Sequence, residues 1–435
     1  MTDSTTPARG GASSFIPNLR VPFGWTMAGL AAGVMLGIAV QGTAGEAILP
    51  VADVVGALWL GALQMTIVPL VAALLVVGIV QAVAAARAGR LALTALASFA
   101  AILTLVTVFA AFAVPALLDA FPIPPGAVSA LGGAGDTAAA GPVPAIGDFM
   151  KSLVPTNIIR ASAETAMIGI IVFFSLFAIA ITRLPEAHAR HLTVLFEAIT
   201  GAMLTVIGWV LWIAPLGVFA LTLTLAGSSG AAVLGALGHY VLIVVAIGTA
   251  VLLFAYGLAI VAARQNVMRF ARAVLPAQAM AISTQSSLAS LPAMLIGCRA
   301  LGVRETSSEL VLPLAVALFR ATGPAMNLAV AIYVARLTGV ELTPAMLATG
   351  VAVALVTTVG SVSLPGAISF ITAIGPIALA MGVPIAPLAL LVAIEVLPDI
   401  MRTLGNVTMD VAVTAAVDRR AGDRAGPDGA AASQP

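Results

Sequence analysis

Charged residues are scarce in this sequence. Of its 435 residues, only 9% are Asp, Glu, Lys or Arg, whereas 61% are hydrophobic. A soluble domain carries about 25% charged residues, so most of this chain's surface must face membrane lipid rather than water. The formal net charge of +1 is too small to indicate a nucleic-acid partner, and no basic run is interleaved with aromatic residues. The composition therefore predicts an integral membrane protein.

Residues that carry catalytic or metal chemistry are also few. The single cysteine, Cys298, excludes an intramolecular disulfide and any multi-cysteine metal site. The three histidines form no ligand motif, and neither a nucleophile–base pair nor a nucleotide-binding loop is present. We therefore expect that the chain is not an enzyme and that it uses no cofactor, with a sodium ion as the one candidate ligand of that kind.

Both ends of the sequence are polar. Residues 1–22 lack the compact apolar core and the small-residue cleavage site of a signal peptide. Residues 417–435 are rich in Gly, Ala and Asp. Such segments bury too little apolar surface to fold alone, so we expect both to be disordered.

Six long apolar stretches precede residue 264. They are long enough to cross a bilayer, which takes about 20 residues, and they lie at 23–42, 48–84, 91–118, 157–184, 194–225 and 233–263. A Gly- and Pro-rich stretch at 120–150 is too polar to cross. Arginines cluster in alternate connecting loops, and the positive-inside rule places those loops in the cytoplasm. This pattern predicts a multi-pass protein of a bacterial inner membrane with both termini cytoplasmic.

The apolar pattern is interrupted beyond residue 264. Apolar stretches at 274–298, 306–336 and 343–382 are each broken by polar residues, Gly or Pro, and a last span at 383–416 carries several charges. The tripeptide Ser-Leu-Pro occurs at 290–292 and again at 363–365. Irregular backbone at membrane depth persists only where protein or a cavity surrounds it. Two Pro-interrupted segments in corresponding positions indicate a transport site built from an internal repeat.

The last span contains the densest chemistry. Asp399, Arg402, Thr403, Asn406 and Asp410 recur at helical spacing and form one stripe. A charge at the bilayer centre costs at least ~2.5 kcal/mol, so these charges must pair, meet water or bind a ligand. The Arg402 guanidinium suits a carboxylate, Asp399 suits an ammonium group, and oxygens of Asn406 and Asp410 suit a hard cation. The alternative is a buried ion-pair network without a ligand.

Several fragments in conserved order resemble one family of carriers. They are Met65–Leu70, Val154–Asn157, Ala214–Phe219, the hairpin-like segments around Ser286 and Gly360, and the pattern from Asp399 to Asp410. Together they resemble the dicarboxylate/amino acid:cation symporter family, which includes glutamate and aspartate transporters. The resemblance implies an all-α membrane fold of eight transmembrane helices plus two re-entrant hairpins, arranged as inverted repeats.

The resemblance also implies how the chain is organised. It implies a homotrimer whose protomers each combine a scaffold with a mobile transport domain that moves like an elevator. Residues 23–263 would supply the scaffold and part of the transport domain. Residues 264–416 would supply the transport core, in the order hairpin, seventh span, hairpin and eighth span.

The resemblance assigns roles to residues of the transport core. Arg402 would bind the side-chain carboxylate of an acidic solute, and Asp399 its amino group. The residues implied in substrate binding are Arg402, Asp399, Thr403, Asn406, Ser286, Ser287, Ser361, Val362, Ser363, Gly366 and Thr322. Asp410 and Asn406 would be sodium ligands.

One motif departs from the family. Where the seventh span of the family carries Asn-Met-Asp-Gly-Thr, this sequence reads Phe319-Arg320-Ala321-Thr322-Gly323. The oxygens that build sodium sites are missing, and a guanidinium has been gained. Our hypothesis is that Arg320 is a tethered cation that pairs with Asp410, and that Glu395 carries a coupling proton.

Three alternatives stay open. A C4-dicarboxylate carrier would not need Asp399 as an ammonium partner, and Arg320 would then bind the second carboxylate of the substrate. A ligand sensor that does not transport, or an anion channel on the same fold, would keep the site without coupled flux. Retention of Asp399 favours an amino-acid carrier over the C4-dicarboxylate carrier.

Overall fold

Helices form all the regular structure in the described part of the chain. The computed structural model describes residues 23–124, 154–230, 232–360 and 366–425. The helices are α1 (Phe23–Val40), α2 (Leu49–Gln64), α3 (Ile67–Ala86), α4 (Arg90–Ala120), α5 (Ile158–Ala163), α6 (Met167–Ile181), α7 (Glu186–Trp212), α8 (Ala214–Ser229), α9 (Ala232–Val261), α10 (Val267–Thr284), α11 (Ser287–Leu301), α12 (Glu305–Leu318), α13 (Gly323–Leu337), α14 (Pro344–Gly360), α15 (Gly366–Ala380), α16 (Ala386–Leu391) and α17 (Val396–Ala425). The predicted all-α class is confirmed.

Five helical stretches within the described residues are long and apolar enough to cross a membrane. They are Ala44–Ala86, Arg90–Ala120, Glu186–Trp212, Leu234–Val261 and Glu305–Leu337. Large apolar side chains such as Trp25, Phe112 and Trp209 are exposed on the outer helices. A soluble protein would bury them, whereas lipid solvates them without cost. The predicted total of eight spans and two hairpins stays a prediction.

Three of the six spans predicted before residue 264 are divided in the structure. The second, 48–84, is interrupted at Met65 and Thr66 between α2 and α3, and the fourth, 157–184, is interrupted at residues 164–166 between α5 and α6. The fifth, 194–225, is interrupted at Ile213 between α7 and α8, and Pro215 follows at the second residue of α8. Proline has no N–H to donate to the preceding turn, so a helix readily restarts there. Hydropathy alone did not reveal these breaks, because each lies within a largely apolar stretch.

Helix α1 packs closely on α8 through glycines one turn apart. A Cβ added to Gly33 would lie 2.6 Å from the carbonyl oxygen of Phe219, and one added to Gly37 would lie 2.7 Å from Cβ of Ala226. Gly29 precedes them by four residues and approaches Pro215 in the same way. Small residues at four-residue spacing let membrane helices approach backbone to backbone. The contact between α1 and α8 is therefore held by shape complementarity.

The last helix, α17, lies at the centre of the second half of the fold. It contacts α9, both arms of the first interrupted segment (α10 and α11), α12 and α4. Helix α13 is buried on nearly every side, and it is mostly apolar, with Asn327 and Arg336 as its amide and charged side chains, as expected for an enclosed helix. The polar face of α17 is therefore enclosed by protein rather than lipid.

The interruptions that the sequence predicts are present. Helix α10 ends at Thr284, Gln285 has a left-handed backbone (φ +50°), and the Ser286 side chain accepts a hydrogen bond from Ala289 N to cap α11. Helices α10 and α11 then pack on each other, as in the predicted hairpin. The seventh span breaks between Leu318 and Gly323.

The second predicted hairpin and the two ends are described in part. Helices α14 and α15 pack on each other, but residues 361–365 between them lie outside the described residues, as do 1–22, 125–153 and 426–435. Helix α17 continues to Ala425, into the segment 417–435 for which disorder was predicted. An ion pair 2.7 Å long between Arg304 and Asp418 ties that part of the helix to the start of α12.

Candidate functional site

The polar stripe of the last helix is buried. Asp399, Arg402, Thr403, Asn406 and Asp410 all lie on α17, and each is at most 5% exposed. Because α17 is surrounded by other helices, these charges meet protein groups on every side. Their environment must therefore neutralise or hydrogen-bond them, since burial of a lone charge is very costly.

Within the described residues, the Arg402 guanidinium is paired along one of its edges. Its Nη1 donates to Glu395 and to Oδ1 of Asp399, the latter at 3.1 Å. Its Nε and Nη2 atoms are buried and have no hydrogen-bond partner among the described residues. The N–H bonds of Nε and Nη2 point the same way along one edge and form the fork that grips a carboxylate through two parallel bonds. That edge has the geometry that binds a carboxylate.

Glu395 is the most deeply buried acid of the site. It is 0% exposed and precedes α17. Its Oε1 accepts from Arg402, and its Oε2 accepts from the Tyr240 hydroxyl on α9 at 3.2 Å. The ring of Tyr240 packs edge-on against Tyr333 of α13, with the centroids 5.3 Å apart. Sequence reasoning missed Tyr240, although it is one of only three tyrosines in the chain.

Asn406 joins the last helix to the break in the seventh span. Its Oδ1 accepts from the backbone N–H of Thr322 at 2.8 Å, and the Thr322 hydroxyl lies 2.8 Å from the same oxygen. That hydroxyl also lies 2.8 Å from the carbonyl oxygen of Arg402. Thr322, predicted as a substrate-binding residue, thus uses its polar atoms on α17.

Arg320 lies inside the same break, near the acids of α17. Its backbone is left-handed (φ +38°), a conformation that a residue with a side chain adopts only when its surroundings enforce it. It is half-buried and lies within electrostatic range of Asp399, Arg402 and Asp410. Asp410 is 1% exposed, and its Oδ1 has no hydrogen-bond partner within the described ranges. Arg320 is placed where a positive charge offsets these carboxylates.

Of the two predicted hairpin tips, only the first lies wholly among the described residues. Ser286 and Ser287 are half-buried at the junction of α10 and α11, and the Ser286 side chain accepts a hydrogen bond from Ala289 N at the start of α11. Ser290 is buried and bonds to the Ser286 carbonyl at 3.0 Å. Ser361, Val362 and Ser363 lie outside the described residues, and Gly366 begins α15.

Comparison with known proteins identifies the family. The chain matches the Sodium:dicarboxylate symporter family over residues 23–420. The chain belongs to this family. Its relatives in it are transporters rather than enzymes.

Three members of the symporter family illustrate the range of similarity. The chain is 31% identical over 260 residues to the proton/glutamate-aspartate symporter of Escherichia coli, a match that covers 59% of this chain and 58% of the relative. It is 28% identical over 264 residues to the proton/sodium-glutamate symport protein of Bacillus subtilis, with 60% and 61% covered. It is 26% identical over 280 residues to a C4-dicarboxylate transport protein of Albidiferax ferrireducens, with 63% and 61% covered. The match therefore spans about three fifths of the length of these relatives.

Within this symporter family, the departure in the seventh span has a structural counterpart. Phe319, which is predicted to align with the asparagine of the family motif, stacks on Phe99 of α4 with ring centroids 4.5 Å apart and planes 17° apart. Both rings are buried. An apolar stack occupies a place where the motif would supply oxygens, so this corner does not suit a hard cation.

Ligands for a transition metal or similar ion are not clustered in the described part of this chain. Among the described residues, no group of three or more His, Cys, Asp or Glu side chains is placed to hold a metal ion. The predicted sodium ligands Asp410 and Asn406 are both buried on α17. Their role in binding sodium stays a prediction.

Proposed function

We propose that the protein is a secondary transporter for acidic amino acids or related dicarboxylates. The observation that carries the proposal is the edge of Arg402 formed by Nε and Nη2, which is buried and has no hydrogen-bond partner among the described residues. A buried donor without a partner costs roughly 1–3 kcal/mol, and more if it is charged. A carboxylate ligand removes that cost, so the site is built to bind an anion.

The identity of the solute depends on Asp399. An amino acid needs Asp399 to accept from its ammonium group, whereas a dicarboxylate does not. The bond from Arg402 to Asp399 occupies one oxygen of that carboxylate, which supports a C4-dicarboxylate as the second candidate. The named relatives include both glutamate-aspartate and C4-dicarboxylate carriers. Retention of an aspartate here favours the amino acid.

The experiment is solute exchange in liposomes. Reconstituted protein loaded with one unlabelled solute is offered labelled L-aspartate, L-glutamate or succinate outside, without any ion gradient. We expect exchange of at least one of them above the level of protein-free liposomes. Asp399→Asn should weaken exchange of L-aspartate much more than that of succinate. Absence of exchange for all three, with folded protein that binds them, would instead support a sensor.

We propose that transport by this chain is coupled to cations differently from transport by family members that carry the Asn-Met-Asp-Gly-Thr motif. Relative to the family motif, one acid is replaced by Ala321 and one positive charge is gained in Arg320. Arg320 then supplies charge that a bound sodium ion would supply, and Glu395 is the candidate proton carrier. The placement of Arg320 near Asp399 and Asp410 supports this assignment, as does the apolar stack of Phe99 and Phe319. Steep dependence of substrate binding on sodium would contradict it.

The assembly and its placement are also proposals. We propose a homotrimer in a bacterial inner membrane, with both termini cytoplasmic and a transport domain that moves as an elevator. Support comes from the family resemblance and from the arginines in alternate loops, as the positive-inside rule requires. Native mass spectrometry of the purified protein in detergent tests the trimer.

A further inference from the structure

The junction between the seventh span and the last helix is packed without spare room. Thr322 is 0% exposed and lies against Gly405, one residue before Asn406 on α17. A Cβ added to Gly405 would overlap the γ-methyl group of Thr322. Interiors are close-packed and do not absorb such an overlap freely. A glycine at 405 is therefore matched to a threonine at 322.

The hydrogen bonds across this junction fix the orientation of one amide. Asn406 Oδ1 has two lone pairs, and the N–H and the hydroxyl of Thr322 both reach it at 2.8 Å. The hydroxyl proton is shared with the carbonyl oxygen of Arg402, also at 2.8 Å. With its oxygen engaged in this way, the Asn406 side chain has its NH2 group left to meet a ligand.

We propose that Thr322 is a positioning residue that fixes the Asn406 amide as a hydrogen-bond donor and withholds its oxygen from any cation. Asn406 lies one turn beyond Arg402, so the two share a helix face. With the free fork of Arg402, that face presents donors to an acidic solute. The assignment rests on the proposed transport function and differs from direct substrate contact by Thr322.

Two substitutions of Thr322 separate the role of its hydroxyl from that of its shape. Thr322→Val keeps the shape of the side chain but removes the hydroxyl. We expect it to weaken binding of L-aspartate and succinate about tenfold, equivalent to about 1.4 kcal/mol, because one buried bond is lost and only the backbone N–H of residue 322 then holds the Asn406 amide. Thr322→Ser keeps the hydroxyl and should stay within about threefold of wild type.

Substitution of Gly405 provides an independent test of the same contact. Gly405→Ala alone should weaken binding of both solutes, because its methyl group displaces Thr322. The double variant Gly405→Ala/Thr322→Ser lacks the γ-methyl that the new Cβ meets, so affinity should recover toward that of Thr322→Ser. Thr200→Val is the matched control, since Thr200 is buried on α7 and bonds within its own helix to Phe196 O at 2.9 Å.

These changes in affinity are measured by isothermal titration of the purified full-length variants. Each variant is titrated with L-aspartate and with succinate, in buffers with and without sodium. The proposal is supported if Thr322→Val loses affinity in both buffers, Thr322→Ser does not, and the double variant recovers. It is overturned if Thr322→Val binds like wild type, or if the double variant is no better than Gly405→Ala. Failure of the wild type to bind any acidic solute would overturn the proposed function as well, which distinguishes the two failures.

Discussion

At the scale of single residues, Arg402 is held between two demands. Glu395 and Asp399 neutralise it from one edge, which makes the buried charge tolerable when no solute is bound. Its other edge has unpaired Nε and Nη2 atoms among the described residues, which favours a ligand. Since both acids bond to the same nitrogen, a carboxylate can bind the free fork without displacing them.

Removal of this guanidinium tests that arrangement. We expect Arg402→Gln to reduce the affinity for L-aspartate and succinate by about a hundredfold, because loss of one partner in a buried charge pair costs roughly 2–5 kcal/mol. Arg304→Gln is the control, since Arg304 lies at the end of the bundle in an ion pair with Asp418. Titration calorimetry measures both variants. Equal affinities of the Arg402 variant and the wild type would contradict the assignment.

Glu395 offers a test of proton coupling. In Glu395→Gln the side chain keeps its size but carries no exchangeable acid proton. We expect solute exchange to persist, because exchange needs no net proton movement, while accumulation driven by a proton gradient is lost. Glu341→Gln, an exposed residue after α13, is the control. Accumulation by Glu395→Gln at the wild-type rate would show that another group carries the proton.

At the scale of helices, the break in the seventh span places the unusual chemistry. The chain leaves α12 after Leu318 and enters α13 at Gly323, with Pro324 at the second residue of α13. Proline fits there because its missing N–H has no partner to lose in the first helical turn. The intervening residues do not belong to a helix, so the backbone there can place both Arg320 and Thr322 near α17.

Arg320 is the residue in this break that we expect to replace bound cation. Arg320→Met removes the charge near Asp399 and Asp410 but keeps much of the apolar stem. We expect L-aspartate binding in sodium-free buffer to weaken about tenfold or more, because two buried carboxylates lose an opposing charge. Arg336→Met is the control, since Arg336 pairs with Asp119 at a half-exposed position. Undiminished sodium-free binding would rule out the tethered-cation role.

The contact between α1 and α8 is a separate structural element that should affect stability alone. Gly33→Leu inserts a side chain where 2.6 Å separates the virtual Cβ from the Phe219 carbonyl. Such overpacking typically costs about 1–3 kcal/mol, so the melting temperature should fall by several degrees while solute affinity is retained. Gly61→Leu, where no atom lies within 4 Å of the added Cβ, is the control. A light-scattering or fluorescence melt measures the difference.

At the scale of the whole molecule, patterns within one helix were predictable and contacts between helices were not. The breaks near Gln285 and Arg320 were visible as polar residues within apolar stretches, and the stripe on α17 followed from helical spacing. The pairs Tyr240–Glu395, Phe99–Phe319 and Thr322–Asn406 join helices far apart in sequence. Periodicity identifies the buried face of a helix but does not specify which residue packs against it.

The arrangement of charge over the whole molecule gives the account its functional content. Outer helices expose apolar side chains, and the described ion pairs with half-exposed arginines, such as Arg304–Asp418 and Arg336–Asp119, lie away from the enclosed site. Asp399 and Asp410 of α17 are buried, and Arg402 lies between them along the helix. Charges inside a membrane bundle are expensive and mark solute or ion pathways. Coupled uptake is the behaviour this distribution predicts.

Accumulation of labelled L-aspartate or succinate by liposomes in sodium-free medium, driven by an imposed inward proton gradient, measures whether uptake through the Arg402 site is coupled to protons. Wild-type protein should concentrate at least one of the two solutes, and Arg402→Gln should stay at the level of protein-free liposomes. Accumulation by Arg402→Gln equal to that of the wild type, or uptake by the wild type only when sodium is added, would contradict the proposed function.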